Sequence, residues 1–344
     1  VDRIVECVPN FSEGRNREVI ESIAEAVRQT ANVKLLNVDP NADYHRTVYT
    51  FVGTPDGVLQ AALNAFGAAA QRIDMSIHKG EHPRMGAADV VPFVPVRGVT
   101  MEDCAAIAEK FGAQIAKQYQ LPVYLYEYAA KSPQRRNLAE VRKGEYEGLP
   151  EKLQNADWKP DFGEAVFNPK LGATATGARI FLIAYNVNLR DPNPDKAQDI
   201  ALRIRESGRV KKGLDGKPVK DEQGNKITIP GRLKAVKAMG VALDEYKISQ
   251  VSINLVNFNV TPPHIAFEAV KEEASTLDVK VSGSEIVGLT PLEPMIMAGK
   301  YYRQKRGLAE TANEKDLLNI AIDGLGLSDL YPFDPSQKVI EYMI

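Results

Sequence analysis

Cysteine is nearly absent. Cys7 and Cys104 are the only two in 344 residues, and neither stands in a C-x-x-C pair. That leaves no disulfide framework and points to a reducing, cytoplasmic setting. No apolar run approaches membrane-spanning length, so a helical membrane protein is not expected. Excess charge is also missing. A formal net charge of −2 argues against bulk attraction to nucleic acid, although it leaves room for a local basic patch that binds a small anion. The first residues, VDRIVECVPNF, carry Asp2 and Glu6 where a secretory leader would be basic and then apolar, so they do not read as a signal peptide. What is present is ordinary for a globular protein: 44% hydrophobic and 26% charged residues. The length suits one large domain or two smaller ones with a sizeable core. A soluble cytoplasmic protein is expected.

The first half alternates short apolar strands with amphipathic helices. RIVECVPNF reads as a strand ended by Pro9. In NREVIESIAEAVRQT, Val19, Ile20, Ile23, Ala24 and Val27 fall on one helical face. VKLLNVD and HRTVYTFVG are strands around a turn holding Pro40, Asn41 and Asp43. A helix opens at Pro55, ADVVPFVPV is a strand, and a third helix is capped by Thr100 with Asp103 in capping-box position. PVYLYEYA closes this half. A polar connector follows, and the prolines and glycines between Pro150 and Gly177 argue against regular structure there. A long irregular segment in a compact protein is often functional.

The second half reads β-α-β-β-α-β, the ferredoxin-like split motif, interrupted by an exposed hairpin-like insertion with Asp215-Gly216 and Gly224-Asn225 turns. The first half begins in the same order and adds one helix and one strand. The fold class expected is α/β in the sense of two α+β sandwiches, with mixed sheets and helices largely on one face. Asn186 and Asn188 on one strand, and Ser252 and Asn254 on another, put polar groups on one face of each. Asparagine is a poor strand residue. A ligand-facing sheet and a merely wet one both fit.

IHKGEHPRMGAADV, residues 77–90, holds two of the four histidines among Lys79, Glu81, Arg84 and Asp89. His78 and His82 are four apart, but Gly80 between them and Pro83 after them oppose the helix a zinc pair would need. Proton transfer suits histidine, whose ordinary pKa is near neutrality, and Glu81 and Arg84 would push it in opposite directions. A solvated surface loop is the bland alternative. His45 and Arg46 sit at a strand end, a common place for site residues in α/β folds. His264, after two prolines, reads as structural.

ECVPNFSEGRN, RTVYTFVG, IDMSIHKGEHPRMGAADVVPFVPVRGV, PVYLYEYAA and DWKPDFG…GATATGARIFLIAYNVNL resemble the glutamate formimidoyltransferase (formiminotransferase) family, from about Arg3 to about Arg306. The resemblance implies transfer of the formimino group from N-formimino-L-glutamate to N5 of tetrahydrofolate, in histidine degradation. It implies the stand-alone bacterial-type form, two ferredoxin-like subdomains with a ligand cleft between them, and usually a homodimer. Tetrahydrofolate is the co-substrate, and no metal is expected. A separate cyclodeaminase is a possible partner. The divisions expected are 1–178, 179–306, and a C-terminal extension 307–344.

By the resemblance His82 is the catalytic histidine, and Asp39 is an acidic site residue that accepts a proton from N5 or orients His82. Gly163, Glu164, Ala165, Val166, Phe167, Asn168, Pro169, Lys170, Leu171 and Gly172 match the folate-contacting stretch. Collapse of a tetrahedral intermediate needs a proton on the departing glutamate nitrogen, and a histidine acid supplies it, worth roughly 10²–10⁴-fold in rate. Arg84 or Arg179 is expected to hold substrate carboxylates, with a surface ion pair as the alternative for each. The insertion around 210–229 and the tail from Gly307 read as departures from the family pattern. The rivals are a formyltransferase using N-formylglutamate, a folate-binding protein without turnover, and a zinc hydrolase.

Overall fold

The computed structural model describes residues 3–213, 215–310 and 313–343. Asp2 of the N-terminal reading, residue 214 of the insertion, and residues 311, 312 and 344 of the tail lie outside the described residues. The chain divides into two compact units, one ending at Ile180 and one running from Phe181 to Met343. Among the described residues no helix is long and apolar enough to cross a membrane.

In the first unit, β1 (Ile4–Cys7) and β2 (Asn10–Phe11) flank Pro9, which has no N–H for a ladder. Then come α1 (Arg17–Arg28), β3 (Val33–Asn41), β4 (Arg46–Gly53), α2 (Pro55–Arg72), β5 (Ala88–Arg97), α3 (Met101–Tyr119) and β6 (Val123–Glu127). The connector holds α4 (Leu138–Arg142) and α5 (Leu149–Lys152), and β7 (Thr174–Ala178) follows. Both β1 and β2 pair with β4 on one side and β5 on the other, all antiparallel. The outer β5–β7 and β7–β6 pairs are parallel, so the sheet is mixed.

Strand β7 corrects the sequence reading, which left TATGA inside an irregular connector. Alanine and glycine are depleted in strands, so composition hides it. It is a buried inner strand nonetheless, and the Thr174 and Thr176 hydroxyls donate to the Ala88 and Val91 carbonyls at 2.7 and 2.8 Å. Those bonds satisfy polar groups that would be costly to bury unpaired.

Helices α1 to α3 cover one sheet face. The expected stripe of α1, Val19, Ile20, Ile23, Ala24 and Val27, is buried there against Tyr49 and Phe51. Each large aliphatic so buried contributes roughly 1.5–3 kcal/mol. Thr100 and Asp103 form the expected capping box of α3. The connector covers part of the other face, packing Val141, Leu149 and Leu153 on Tyr124 and Tyr126. The cross-strand row Asp39–Val48–Asn10–Val90 belongs to this second face. Arg46, two residues before Val48 on β4, shares it.

The second unit contains β8 (Ile183–Leu189), α6 (Pro194–Ile204), the short β9 (Arg209–Val210) and β10 (Thr228–Ile229), β11 (Val236–Leu243), β12 (Ile248–Leu255), α7 (Pro263–Thr276) and β13 (Val281–Val287). Its antiparallel sheet has the order β11-β12-β8-β13, the ferredoxin-like arrangement of a β-α-β-β-α-β run. The insertion is an exposed hairpin closed by β9 and β10. His264 is buried at the start of α7 with its ring stacked on Tyr301 at 4.7 Å. Beyond β13 lie α8 (Leu292–Lys305), α9 (Glu314–Leu325) and the short α10 (Pro335–Lys338). The tail helix α9 buries Leu317, Leu318, Ala321 and Leu325, so it belongs to the core of this unit.

Candidate active site

Residues 73–87 leave the end of α2 and enter β5. Asp74 accepts from the Ser76 N–H and hydroxyl, which turns the chain, and Pro83 blocks a helix through His82. The loop lies on the turn between β3 and β4. There Asn41 accepts from the Tyr44 N–H, and His45 adopts a left-handed φ of 50°.

The two loop histidines have different jobs. His78 is buried, and its Nε2 donates to the His45 carbonyl at 2.9 Å. Its Nδ1 accepts from Arg84 Nε at 3.4 Å. Both nitrogens are spent inside the fold. Burial holds the ring below its ordinary pKa, and the His45 and Arg84 charges add to that. His45 stacks on it at 4.2 Å, donates from Nδ1 to the Lys79 carbonyl, and faces Glu13 through Nε2 at 3.1 Å. Burial works against the Glu13 carboxylate, yet the Asn16 and Arg15 N–H groups and His45 bring it below its usual range. This knot pins the loop.

His82 is held less tightly. It is half-buried, and among the described residues its ring makes no hydrogen bond to another side chain. Tyr44 lies 6.2 Å away, centroid to centroid, at a tilt of 57°. Burial first, then the positive charges of Arg142 and Arg46, push its pKa down to about 4 against the opposing pull of Glu145. At neutral pH the ring is therefore an unprotonated base.

The connector holds this arrangement in place. Arg142 of α4 pairs with Asp89, which is 1% exposed and also accepts from the Met85 N–H at 2.9 Å. Glu147 takes Arg84 in a two-point grip at 2.7 and 3.0 Å, and Glu145 adds a third contact at 3.2 Å. The Tyr146 N–H donates to the Arg84 carbonyl.

The stretch 163–172 divides in two. Gly163, Glu164 and Val166, with Ala113, Ala116, Lys117, Gln120 and Phe162, line a cavity of about 490 Å³ beside the end of α3. Asn168 caps that helix through the Tyr119 and Gln120 carbonyls. Ala165 is exposed and Phe167 lies 5.3 Å from the Tyr146 ring. The Pro169 carbonyl accepts from the Tyr146 hydroxyl, and the Lys170 carbonyl from the Met75 N–H. At the far end the Leu171 carbonyl accepts from the Ala87 N–H, the Ala173 N–H donates to the Met85 carbonyl, and Gly172 bridges Gly86 at the exit of the His82 loop. Gly172 has φ +67°, and a Cβ there would lie 2.1 Å from the Met85 carbonyl oxygen. Gly172→Ala is therefore expected to cost about 1–3 kcal/mol in backbone strain alone, read as a lowered urea midpoint.

The other expected residues are placed less simply. Asp39 is exposed on β3 and makes no hydrogen bond to His82 among the described residues. Arg84 is 6% exposed and its fork is paired with Glu147, the ion-pair alternative to a substrate carboxylate. Arg179 follows β7, donates to the Ile180 carbonyl, and forms no ion pair among the described residues. In the second unit Asn186 donates to Glu285 at 2.9 Å and more weakly to Gln250. Asn188 is buried, donates to Asp329 at 3.0 Å and accepts from Gln250 at 2.8 Å. That amide is bonded on both sides within the unit.

Sequence reasoning passed over Tyr44, Arg142, Glu145 and Asn10. Only their spacing in ECVPNF, in NADYHRT and in the connector was visible, and no periodicity marks residues brought together by a sheet face and an irregular chain.

Two family models match: the N-terminal subdomain of the formiminotransferase domain over residues 4–179, and the formiminotransferase domain over 184–344. The mouse formimidoyltransferase-cyclodeaminase is 48% identical over 344 residues, covering 100% of this chain and 60% of the relative. The glutamate formimidoyltransferases of Streptococcus pyogenes serotype M1 and Thermoplasma acidophilum are 42% and 41% identical. They cover 88% and 89% of this chain, and the chain covers 94% of each. It spans only about 60% of the length of the formimidoyltransferase-cyclodeaminases it matches. The tail from Gly307 falls within the second match and within the mouse alignment. The chain belongs to the formiminotransferase domain family.

Proposed function

We propose that this protein transfers the formimino group from N-formimino-L-glutamate to N5 of tetrahydrofolate, releasing L-glutamate, as the names of its relatives suggest. The observation that carries the mechanism is His82: a half-buried, unprotonated imidazole on a pinned loop, between two arginines and a carboxylate. His82 takes the proton that N5 loses as it attacks the formimino carbon. It returns that proton to the glutamate nitrogen, whose bond to the carbon then breaks. One proton moves in and one out, so the ring needs no outside acid. The expectation that His82 acts only as an acid thus becomes a two-way role. Asp39, on the sheet face that carries Arg46, answers the positive charge that develops on N5.

Tetrahydrofolate is a co-substrate in this reading, with the cavity at Gly163–Val166 as its contact surface and Arg179 as a candidate for its glutamate tail. Two free, buried cysteines suit a cytoplasmic enzyme. A homodimer, and a separate partner with the cyclodeaminase activity in the mouse relative's name, complete the reading.

The test is turnover of purified protein with tetrahydrofolate and formiminoglutamate, or in parallel with formylglutamate. Acid quenching converts the product to methenyl-folate, read in the near ultraviolet. Signal with the formimino donor supports the proposal. Signal with the formyl donor alone replaces it with formyl transfer, and silence with both overturns it.

A further inference from the structure

Three arginines of the first unit have their charges answered. Arg84 is held by Glu147, Arg142 by Asp89 and Arg135 by Asp161. Arg46 is different. It is half-buried and forms no ion pair among the described residues. Its Nη1 donates to Asn10 Oδ1 at 3.3 Å, its guanidinium lies 5.8 Å from the Tyr44 ring centroid, and its Nε is buried without a hydrogen-bond partner. Arg135 and Arg142 also leave Nε unpaired, but each has its carboxylate. A guanidinium drawn out of water with no counter-charge is unfavourable unless a ligand supplies one. Asn10 engages Nη1, so the Nε–Nη2 edge is the side of the fork that can grip a carboxylate at two points.

We propose that Arg46 binds the α-carboxylate of the amino-acid donor and so sets the donor nitrogen against His82. This rests on the formimino-transfer reading and names a contact within it. The choice of carboxylate follows from reach. Arg46 and His82 border the same Tyr44 ring. In formiminoglutamate the α-carboxylate is carried by the carbon that bears the reacting nitrogen. The γ-carboxylate is two methylenes further away, and the folate tail lies beyond an aromatic spacer. Seating a carboxylate on Arg46 also offsets one of the two positive charges that keep His82 unprotonated. The ring then holds the N5 proton more firmly once the donor is in place.

The experiment measures binding by calorimetry, apart from turnover. The probes are L-glutamate, its α-amide isoglutamine, its γ-amide glutamine, and tetrahydrofolate. The proteins are the parent chain, Arg46→Gln and Arg46→Lys, each checked for folding by circular dichroism. The parent is expected to prefer L-glutamate to isoglutamine by roughly tenfold or more. Arg46→Gln is expected to bind L-glutamate roughly tenfold to 100-fold more weakly and to lose that preference, with Arg46→Lys between. Tetrahydrofolate affinity is expected to be unchanged. L-glutamate is also expected to raise the His82 titration seen by NMR in the parent and not in Arg46→Gln, a signature that a merely structural arginine would not give. An isoglutamine preference retained in Arg46→Gln overturns the assignment. So does a loss confined to the glutamine comparison or to tetrahydrofolate, or a parent that binds no L-glutamate. Failure of the transfer reading shows separately, as a parent without turnover.

Discussion

His82→Asn is expected to lower kcat for the proposed formimino transfer by roughly 10²–10⁴-fold and to leave the fold intact. The ring is half-buried and its one hydrogen-bond partner among the described residues is the adjacent Pro83 backbone, so its loss strands no distant group. His78 is the opposite case. Its nitrogens hold the His45 carbonyl and Arg84, so His78→Asn is expected to act on stability. The pH profile separates the roles further. With its pKa near 4, His82 is in its working, unprotonated form above that value. The acid limb of kcat/KM is thus expected near pH 4 in the parent, falling as pH drops. Removing the Arg46 charge moves that limb up toward 6.5, the ordinary value for the ring. The methenyl-folate assay reads both quantities. Near-normal turnover in a folded His82→Asn protein sinks the role.

The largest loss of stability is expected at Asp89. The carboxylate is 1% exposed, accepts from the Met85 N–H, and is the ion-pair partner of Arg142. Asp89→Asn leaves the Arg142 guanidinium without its counter-charge, and breaking a buried pair from one side costs about 3–5 kcal/mol. The Arg142 side chain is 18% exposed, so water softens the loss and the lower end, about 3 kcal/mol, is expected. Urea unfolding reads it as a lowered midpoint at constant slope. Asp89→Asn combined with Arg142→Met should recover much of the difference, because removing both charges strands neither. A single variant with an unchanged midpoint would show that the pair contributes little. The consequence reaches the site as well, since Arg142 is the charged neighbour that acts most strongly on His82.

Local pattern was enough for much of this protein. The three-and-four spacing of Val19, Ile20, Ile23, Ala24 and Val27 encodes α1, because a helix must bury one stripe. The capping box at Thr100 and Asp103 is a contact between residues three apart and needs no tertiary information. The β-α-β-β-α-β order of the second unit follows from the same periodicities, and the long quoted motifs identify the family. Strand β7 was out of reach, because TATGA becomes a strand only between β5 and β6, where its threonines find carbonyls.

The site divides along the same line. Residue types and the Gly and Pro spacing of HKGEHPRMG drew attention to the loop, and the family resemblance pointed to His82 within it. Which histidine is spent and which is held less tightly depends on a carbonyl 33 residues away at His45. Whether Arg84 is an anchor or a strut depends on Glu147, which is 63 residues away. Whether an arginine is paired is a property of charges meeting across distant segments, and spacing along a chain carries no record of it. The sequence alone determined most of the elements, the family and the loop proposed to hold the chemistry. The tertiary structure decided which side chains beside it lack a partner among the described residues: His82 makes no side-chain hydrogen bond and Arg46 forms no ion pair.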